Sequence, residues 1–312
     1  MILVTGGTGF IGQNLIRRLS LEGHKVRALI RPAAYSPTLP RGVSVEAAIS
    51  SMNDARGLRA ALVGVDVVYH LAGIHWEDPS PGLRYTEVDG TRQLLEAAQD
   101  AGIKRLIYLS QIGADQLSAY PLLRAKGLAE DLISHSPIAY TILRSGLVYG
   151  QGDHFTTTIA KLLALSPGIL PMPGDGTSLV QPLWIEDLVS CLIWTLDIED
   201  LVNETIEIGG PEFLALREVI TEIMNATGNR RILLAARPSY LRIAVSTLRY
   251  LLPRLPISNY WLDYFAVNRI TQLDTLTKVF GLRPARLPRH LDHLRAMDWR
   301  SLAWGELLGS AE

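Results

Sequence analysis

The chain has 312 residues, 48% of them hydrophobic and 20% charged, a balance that supports a large buried core without cross-links. Its net charge of −1 excludes a general nucleic-acid binder, which would carry a basic excess. The lone cysteine, Cys191, excludes an internal disulfide framework and suits a reducing compartment.

Met1 runs straight into Ile2-Leu3-Val4 and then glycines, with no basic leader segment. No apolar run approaches the ~20 residues of a membrane span. The expectation is a cytoplasmic protein.

Six short apolar runs follow in order, at 2–5, 25–30, 43–48, 65–70, 105–110 and 138–144. Each is bounded by Gly, Pro, Asn or Asp, and runs of that length fit strands covered on both faces. Helix-period stripes lie between them: Phe10, Ile11, Leu15, Ile16 and Leu19; Leu94, Leu95, Ala98 and Ala101; Leu122, Ala125, Ala129 and Leu132. Strand, helix, strand at this rhythm predicts βαβ units and a Rossmann-type doubly wound parallel sheet. After Ser145 the rhythm breaks. Glycines and prolines predict loops over 150–183, then a helix over 186–197, a strand over 205–208 and a helix over 214–227. From Arg237 the pattern predicts mostly helix, broken at Pro253-Arg254-Leu255-Pro256 and at 281–284. The organisation expected is a dinucleotide-binding core over 1–149, a mixed segment over 150–235 completing core and cleft wall, and a smaller, mostly helical substrate-side region over 236–312.

The first strand leads into Gly6-Gly7-Thr8-Gly9-Phe10-Ile11-Gly12 and then a helix. Glycines there permit a tight turn and close backbone approach to a pyrophosphate, and the helix N-terminus offers unpaired N–H groups. A glycine pattern alone is weak; between strand and helix, opening a βαβ unit, it predicts a dinucleotide. NAD binding usually places an acid at the end of the second strand, to bond the ribose 2′-OH. No acid occurs between Glu22 and Glu46, and Arg31 stands at that strand end, where a guanidinium would pair a 2′-phosphate. NADP(H) is therefore expected over NAD(H), with Arg31 as a solvated loop residue the alternative.

In chain order, TGGTGFIG at 5–12, VYHLAG at 68–73, GTRQLLEAAQDAG at 90–102, IKRLIYLS at 103–110, YTILRSGLVYGQGD at 140–153, WIEDLV at 184–189 and EIGG at 207–210 resemble the extended and atypical branches of the short-chain dehydrogenase/reductase superfamily. The tail segment VFGLRPARLPRHLDHL at 279–294 looks like the atypical family of the nucleotide-binding accessory subunit of respiratory complex I and its bacterial relatives. The resemblance implies cofactor contacts at Gly6, Gly9, Phe10, Ile11, Gly12, Ser51, Met52, Leu71, Ala72, Gly73, Ser110 and Lys126. It also implies hydride transfer by a Ser, a Tyr and a Lys, the Lys holding the nicotinamide ribose.

Here the sequence departs from that pattern. Lys126 is present, but Leu122 stands where the Tyr belongs and Gln111 where the Ser belongs. Ser51 replaces the adenine-contacting Asp, Glu87 replaces an Asn, and Ser145 replaces the Pro after Arg144. Two substitutes for the acid are open. Tyr120 sits six residues before Lys126, about 120° away on a helix. Pro121 suits the first helical turn, which sets Tyr120 at or before the cap, where it could point elsewhere, but a packed aromatic at a loop–helix junction is the favoured reading. His75 follows the fourth strand, at the ligand edge of such sheets, where a loop histidine is more often simply solvated. Tyr149 and His154 lie in another crevice loop, where the same ordinary role is favoured. No metal site is expected, since His290 and His293 lack zinc context. No Gly-x-Ser-x-Gly elbow supports acyl transfer.

Residues 229–256 carry six arginines and no acid. Leu241, Val245, Leu248 and Leu252 share one helical face there, and Arg242 and Arg249 another. Packing of that apolar face on the domain is favoured over peripheral contact with a membrane or partner through 237–256. Three functions compete: a reductase-type site of weak or unusual activity, an NADP(H)-binding protein without turnover, and, by fold analogy alone, a nucleotide-sugar epimerase or dehydratase. Substrate and oligomeric state are not legible.

Overall fold

The structure, a computed structural model, describes residues 1–32, 39–73, 82–295 and 297–308. One sheet holds seven strands: β1 Ile2–Thr5, β2 Val26–Ile30, β3 Glu46–Ile49, β4 Val67–His70, β5 Arg105–Gln111, β6 Tyr140–Ser145 and β7 Glu204–Ile208. Their spatial order is β3-β2-β1-β4-β5-β6-β7, and every pairing is parallel. This is the doubly wound arrangement the sequence predicts. The strand order reverses direction between β1 and β4, which opens a crevice beyond the carboxyl ends of those strands.

The central strand β1 is apolar because both its faces are covered; Leu3 and Val4 are fully buried. One face is covered by α1 (Phe10–Leu21) and α6 (Ile185–Trp194), which pack Leu15, Ile16 and Leu19 with Leu188 and Leu192. The other is covered by α2 (Ala55–Ala61), α3 (Gly90–Asp100) and α4 (Pro121–Ser134), through Leu58, Leu94, Ala98 and Ile133. At the edge, β3 leaves Ile49 exposed. A separate apolar cluster holds the C-terminal part, built on α5 (Phe155–Leu165), α7 (Leu216–Thr227) and α9 (Asn259–Tyr264).

Three expectations need correction. The loops predicted over 150–183 contain α5, whose Phe155, Ile159 and Leu163 are buried. Its β-branched Thr156-Thr157-Thr158 start hides the period. Asp153 compensates, its carboxylate accepting from the Thr156 amide at 2.6 Å and from the Thr156 hydroxyl at 2.7 Å. The proline-bearing strand Ile169–Pro173, also inside the expected loops, pairs in parallel with Ile232–Ala236. Beyond Arg237 the described chain is largely helical, as the pattern predicts, but its first helix packs less of its apolar face than expected. In α8 (Pro238–Leu251) only Val245 of the predicted apolar face is buried, while Leu248 and Leu252 are exposed. Among the described residues no helix is long and apolar enough to cross a membrane.

Candidate dinucleotide and substrate site

The chain leaves β1 through Gly6, at φ +70°, where a side-chain carbon would lie 2.7 Å from the carbonyl of Leu71. Only glycine lets the turn pass over the end of β4 so closely. Gly12 packs against the Gly6–Gly7 backbone in the same way, fixing helix against loop. Gly9 caps α1 without any side-chain hydrogen bond, and the first turn carries no acid. The first helical bond runs from Gln13 to Gly9, so the amides of Phe10, Ile11 and Gly12 precede the hydrogen-bond ladder. A bare helix N-terminus with a glycine cap is a cradle for a phosphate anion. Arg31 follows β2, exposed. Ser51 and Met52 follow β3 and are half-buried, with Met52 packed on the core behind α2 and α3.

Leu71, Ala72 and Gly73 continue β4 into the crevice. The Leu71 amide donates to the Thr5 carbonyl at 3.3 Å, and the Ala72 amide donates to the Thr5 hydroxyl at 3.1 Å. Thr5 also meets Nδ1 of His70 at 2.8 Å, and His70 Nε2 meets Thr91 at 2.9 Å. His70 is fully buried. Burial first, then the nearby Lys126 charge, holds its pKa down to about 3, so the ring is neutral.

Lys126 is buried on α4, and its Nζ lies 3.0 Å from Oε2 of Glu87. Both side chains are almost wholly out of water, at 2% and 0% exposure, so this ion pair is a core element. Glu87 sits in a π-helical turn, Tyr85–Asp89, that runs into α3. Such widened turns recur at functional sites. A side-chain carbon on Gly73 would lie 2.5 Å from Oε1 of Glu87 and 2.9 Å from Nζ of Lys126. The pair thus abuts the backbone of the β4 exit strand. Lys126 also lies 5.1 Å from the ring centroid of Tyr108, whose hydroxyl is pushed up in pKa by burial and by Glu87.

At the end of β5, Ser110 is buried and its hydroxyl has no hydrogen-bond partner among the described residues. Gln111, one residue on, opens onto a pocket with Tyr120, Leu122, Leu123, Tyr260, Asp263, Tyr264 and Arg269. Tyr120 is the cap of α4, with Pro121 at the first helical position. The structure therefore brings together Gln111, Leu122 and the substitute Tyr120. His75, the other substitute, lies outside the described residues. Tyr149 is buried in the C-terminal cluster, and His154 caps α5 without a side-chain bond. Among the described residues no group of three or more His, Cys, Asp or Glu side chains is placed to hold a metal. Sequence reasoning missed the Glu87–Lys126 contact, although Glu87 was visible as a departure, and it missed Arg269, which lies in a loop without any motif.

The NAD(P)H-binding family model matches residues 6–161, half the chain. This chain belongs to that NAD(P)H-binding family. Its sequence is 28% identical over 295 residues to a ceramide reductase of Caulobacter vibrioides, covering 94% of this chain and 85% of the relative. It is 27% identical over 231 residues to NADH dehydrogenase [ubiquinone] 1 alpha subcomplex subunit 9 of Arabidopsis thaliana. That match covers 71% of this chain and just over half, 56%, of the relative. Among solved structures, the epimerase Mth375 of Methanothermobacter thermautotrophicus superposes with a TM-score of 0.77 at 20% identity, over 100% of this chain and 95% of that one. The fold is that of the short-chain dehydrogenase/reductase and epimerase group, as the motifs lead one to expect.

The residues present fit the dinucleotide. The amides of Phe10, Ile11 and Gly12 precede the helical ladder behind a cap that carries no side chain, and the orphaned Ser110 hydroxyl, buried at the same sheet edge, offers a hydrogen bond to a ligand.

Proposed function

We propose that this chain holds NADP(H) at the crevice and is a reductase-type protein of low activity toward generic carbonyls. The observation that carries the reading is the pocket at the end of β5, where Gln111, Tyr120 and Leu122 line one cavity. In this reading the amides of α1 and Gly9 hold the pyrophosphate, Arg31 pairs a 2′-phosphate, and Lys126 faces the nicotinamide ribose. When bound, the reduced nicotinamide supplies hydride to a carbonyl carbon. The carbonyl oxygen must then receive a proton, and a positioned donor is worth about 10²–10⁴-fold. Leu122 has no proton to give, and the Gln111 amide hydrogen-bonds without titrating near neutral pH. Tyr120 is the hydroxyl left on the α4 side of the pocket, held by the cap rather than by the helix. That relatives of this chain are named as reductases supports hydride transfer as the chemistry.

A second reading, a nucleotide-binding protein without turnover, is favoured by Leu122 at the acid position. One experiment separates the two. Binding of NADPH and NADH is measured by calorimetry, and NADPH oxidation is followed against aldehydes, ketones, quinones and enones. Slow turnover that falls further in Tyr120→Phe supports the reductase reading, and binding without turnover supports the second. Failure of both dinucleotides to bind sinks both readings, and robust turnover untouched by Tyr120→Phe sinks the assignment of Tyr120.

A further inference from the structure

The far wall of the pocket comes from the C-terminal part. Arg269 is only 2% exposed there and carries a full charge into the interior. Its guanidinium is held by two backbone carbonyls: Nη1 donates to Ile112 at 2.9 Å and Nε to Tyr264 at 3.4 Å. The guanidinium carbon lies 5.1 Å from the centroid of the Tyr264 ring. The Arg269 backbone is pinned too, its amide donating to Leu179 at 2.8 Å. Gly113, at φ +86°, gives the group its room, since a side-chain carbon there would lie 2.7 Å from Nη1. These contacts leave Nη2 without a hydrogen-bond acceptor among the described residues, beside a pocket that Gln111 and Tyr120 share.

What the guanidinium lacks is a counter-ion. Among the described residues no carboxylate lies within ion-pair distance of it. The nearest acid on the pocket wall, Asp263, pairs with Arg242 instead. Two guanidiniums therefore share one carboxylate at this end, and among the described residues Arg269 makes no contact ion pair. Backbone carbonyls satisfy N–H groups, but a buried charge without an ion-pair partner is still costly to hold. Burial lowers the Arg269 pKa, with Tyr264, Tyr120 and Asp263 opposing the shift.

We propose that this pocket is a monoanion site, in which Arg269 binds a carboxylate of the substrate with Gln111 and Tyr120 as neighbouring hydrogen-bond donors. A single uncompensated cation matches a singly charged carboxylate, whereas a doubly charged phosphate asks for a second cation that the wall lacks. The substrate class is thus an organic acid whose reducible carbon lies near its carboxylate. That this anion marks the hydride-acceptor end rests on the dinucleotide reading above; the anion site itself does not.

The test titrates the full-length protein, with and without saturating NADP⁺, with acetate and benzoate and with their neutral counterparts acetamide and benzamide. Wild type is expected to bind at least one carboxylate at least about tenfold more tightly than its amide. Arg269→Gln, which keeps hydrogen-bonding groups but no charge, is expected to abolish the preference, and Arg269→Lys to retain part of it. Circular dichroism and NADP⁺ affinity report whether each variant is folded. Should Arg269→Gln not fold, the wild-type preference still decides, read as the rise in melting temperature with each acid against its amide. Equal binding of acid and amide, no binding of either, or a preference that survives in folded Arg269→Gln overturns the anion site. Loss of NADP⁺ binding in wild type overturns the dinucleotide reading instead, so the two failures are distinct.

Discussion

The buried pair of Glu87 and Lys126 makes the sharpest demand on stability. Their atoms lie 3.0 Å apart with side chains at 0% and 2% exposure, so solvent does little to screen either charge. Glu87→Gln keeps the shape but strands an ammonium in the core, and Lys126→Met keeps the stem but strands a carboxylate. Removing one partner of a buried pair costs about 3–5 kcal/mol, because the surviving charge loses its counter-ion. The double variant strands neither charge, so it is expected to lose less than either single one. The coupling energy should then be at least about 2 kcal/mol, in the upper range for residues in direct contact. Urea unfolding at neutral pH, followed by circular dichroism, measures all four proteins. Additive losses, or single losses under about 1 kcal/mol, would refute the claim that this contact is a desolvated ion pair. The cycle also isolates ligand binding. If Lys126 holds the ribose, the double variant regains stability but not NADP⁺ affinity.

Arg31→Ala should weaken NADPH by about tenfold or more and leave NADH unchanged, since only the 2′-phosphate offers a charge-assisted bond; equal losses for both cofactors would remove Arg31 from the phosphate. Gly9→Val should fold, because a carbon added at Gly9 meets nothing nearer than the Gly6 carbonyl at 3.3 Å. It should nonetheless lose dinucleotide by at least about tenfold in calorimetry, and a folded variant that binds like wild type would move the phosphate elsewhere. His70 is held neutral with a pKa near 3 against an ordinary 6.5, so the unfolded chain binds the extra proton first and stability must fall as pH drops below about 6.5. At pH 5 the loss is about 2 kcal/mol, at 1.36 kcal/mol per unit, and urea midpoints that show no smaller acid loss in His70→Asn would exclude this source.

The sheet was legible because its strands are buried on both faces. β1 and β4 to β6 read as apolar runs, and the glycine turn announced where β1 ends. What escaped was structure whose sequence pattern is set by neighbours. Helix α5 opens with Thr156-Thr157-Thr158 and is held by the Asp153 carboxylate, a local bond that periodicity does not register. The strand Ile169–Pro173 carries two prolines and exists because Ile232–Ala236 pairs with it some sixty residues later. The cofactor cradle was visible in the order of motifs, while the Glu87–Lys126 contact needed a π-helical turn that no spacing rule foresees. Arg269 was invisible for a plainer reason. Nothing in its loop distinguishes a buried arginine from the many exposed ones.

Tyr120 shows how the acceptor end was rebuilt. Six residues before Lys126, it would stand about 120° away if both lay on one helix, and it could not replace a hydroxyl at position 122. That rule fails because Pro121 takes the first helical position and leaves Tyr120 extended, at φ −88° and ψ 120°. An extended cap residue points its side chain off the helical spiral, and here it reaches the pocket that Leu122 lines from the helix proper. Leu122 then supplies an apolar wall where a hydroxyl is expected, and Gln111 supplies a longer, non-titrating donor. Opposite them stands Arg269, charged and buried. On the proposed reading the ribose end of the site keeps its lysine, tied to Glu87, while the acceptor end has an apolar wall and a fixed positive charge where the related pattern has a hydroxyl. If both proposals hold, a neutral carbonyl in that corner would meet a poor proton donor, whereas an organic acid would meet a counter-ion. Low activity on simple ketones together with selective binding of carboxylates is therefore the joint prediction of the two proposals, and finding one without the other would separate them.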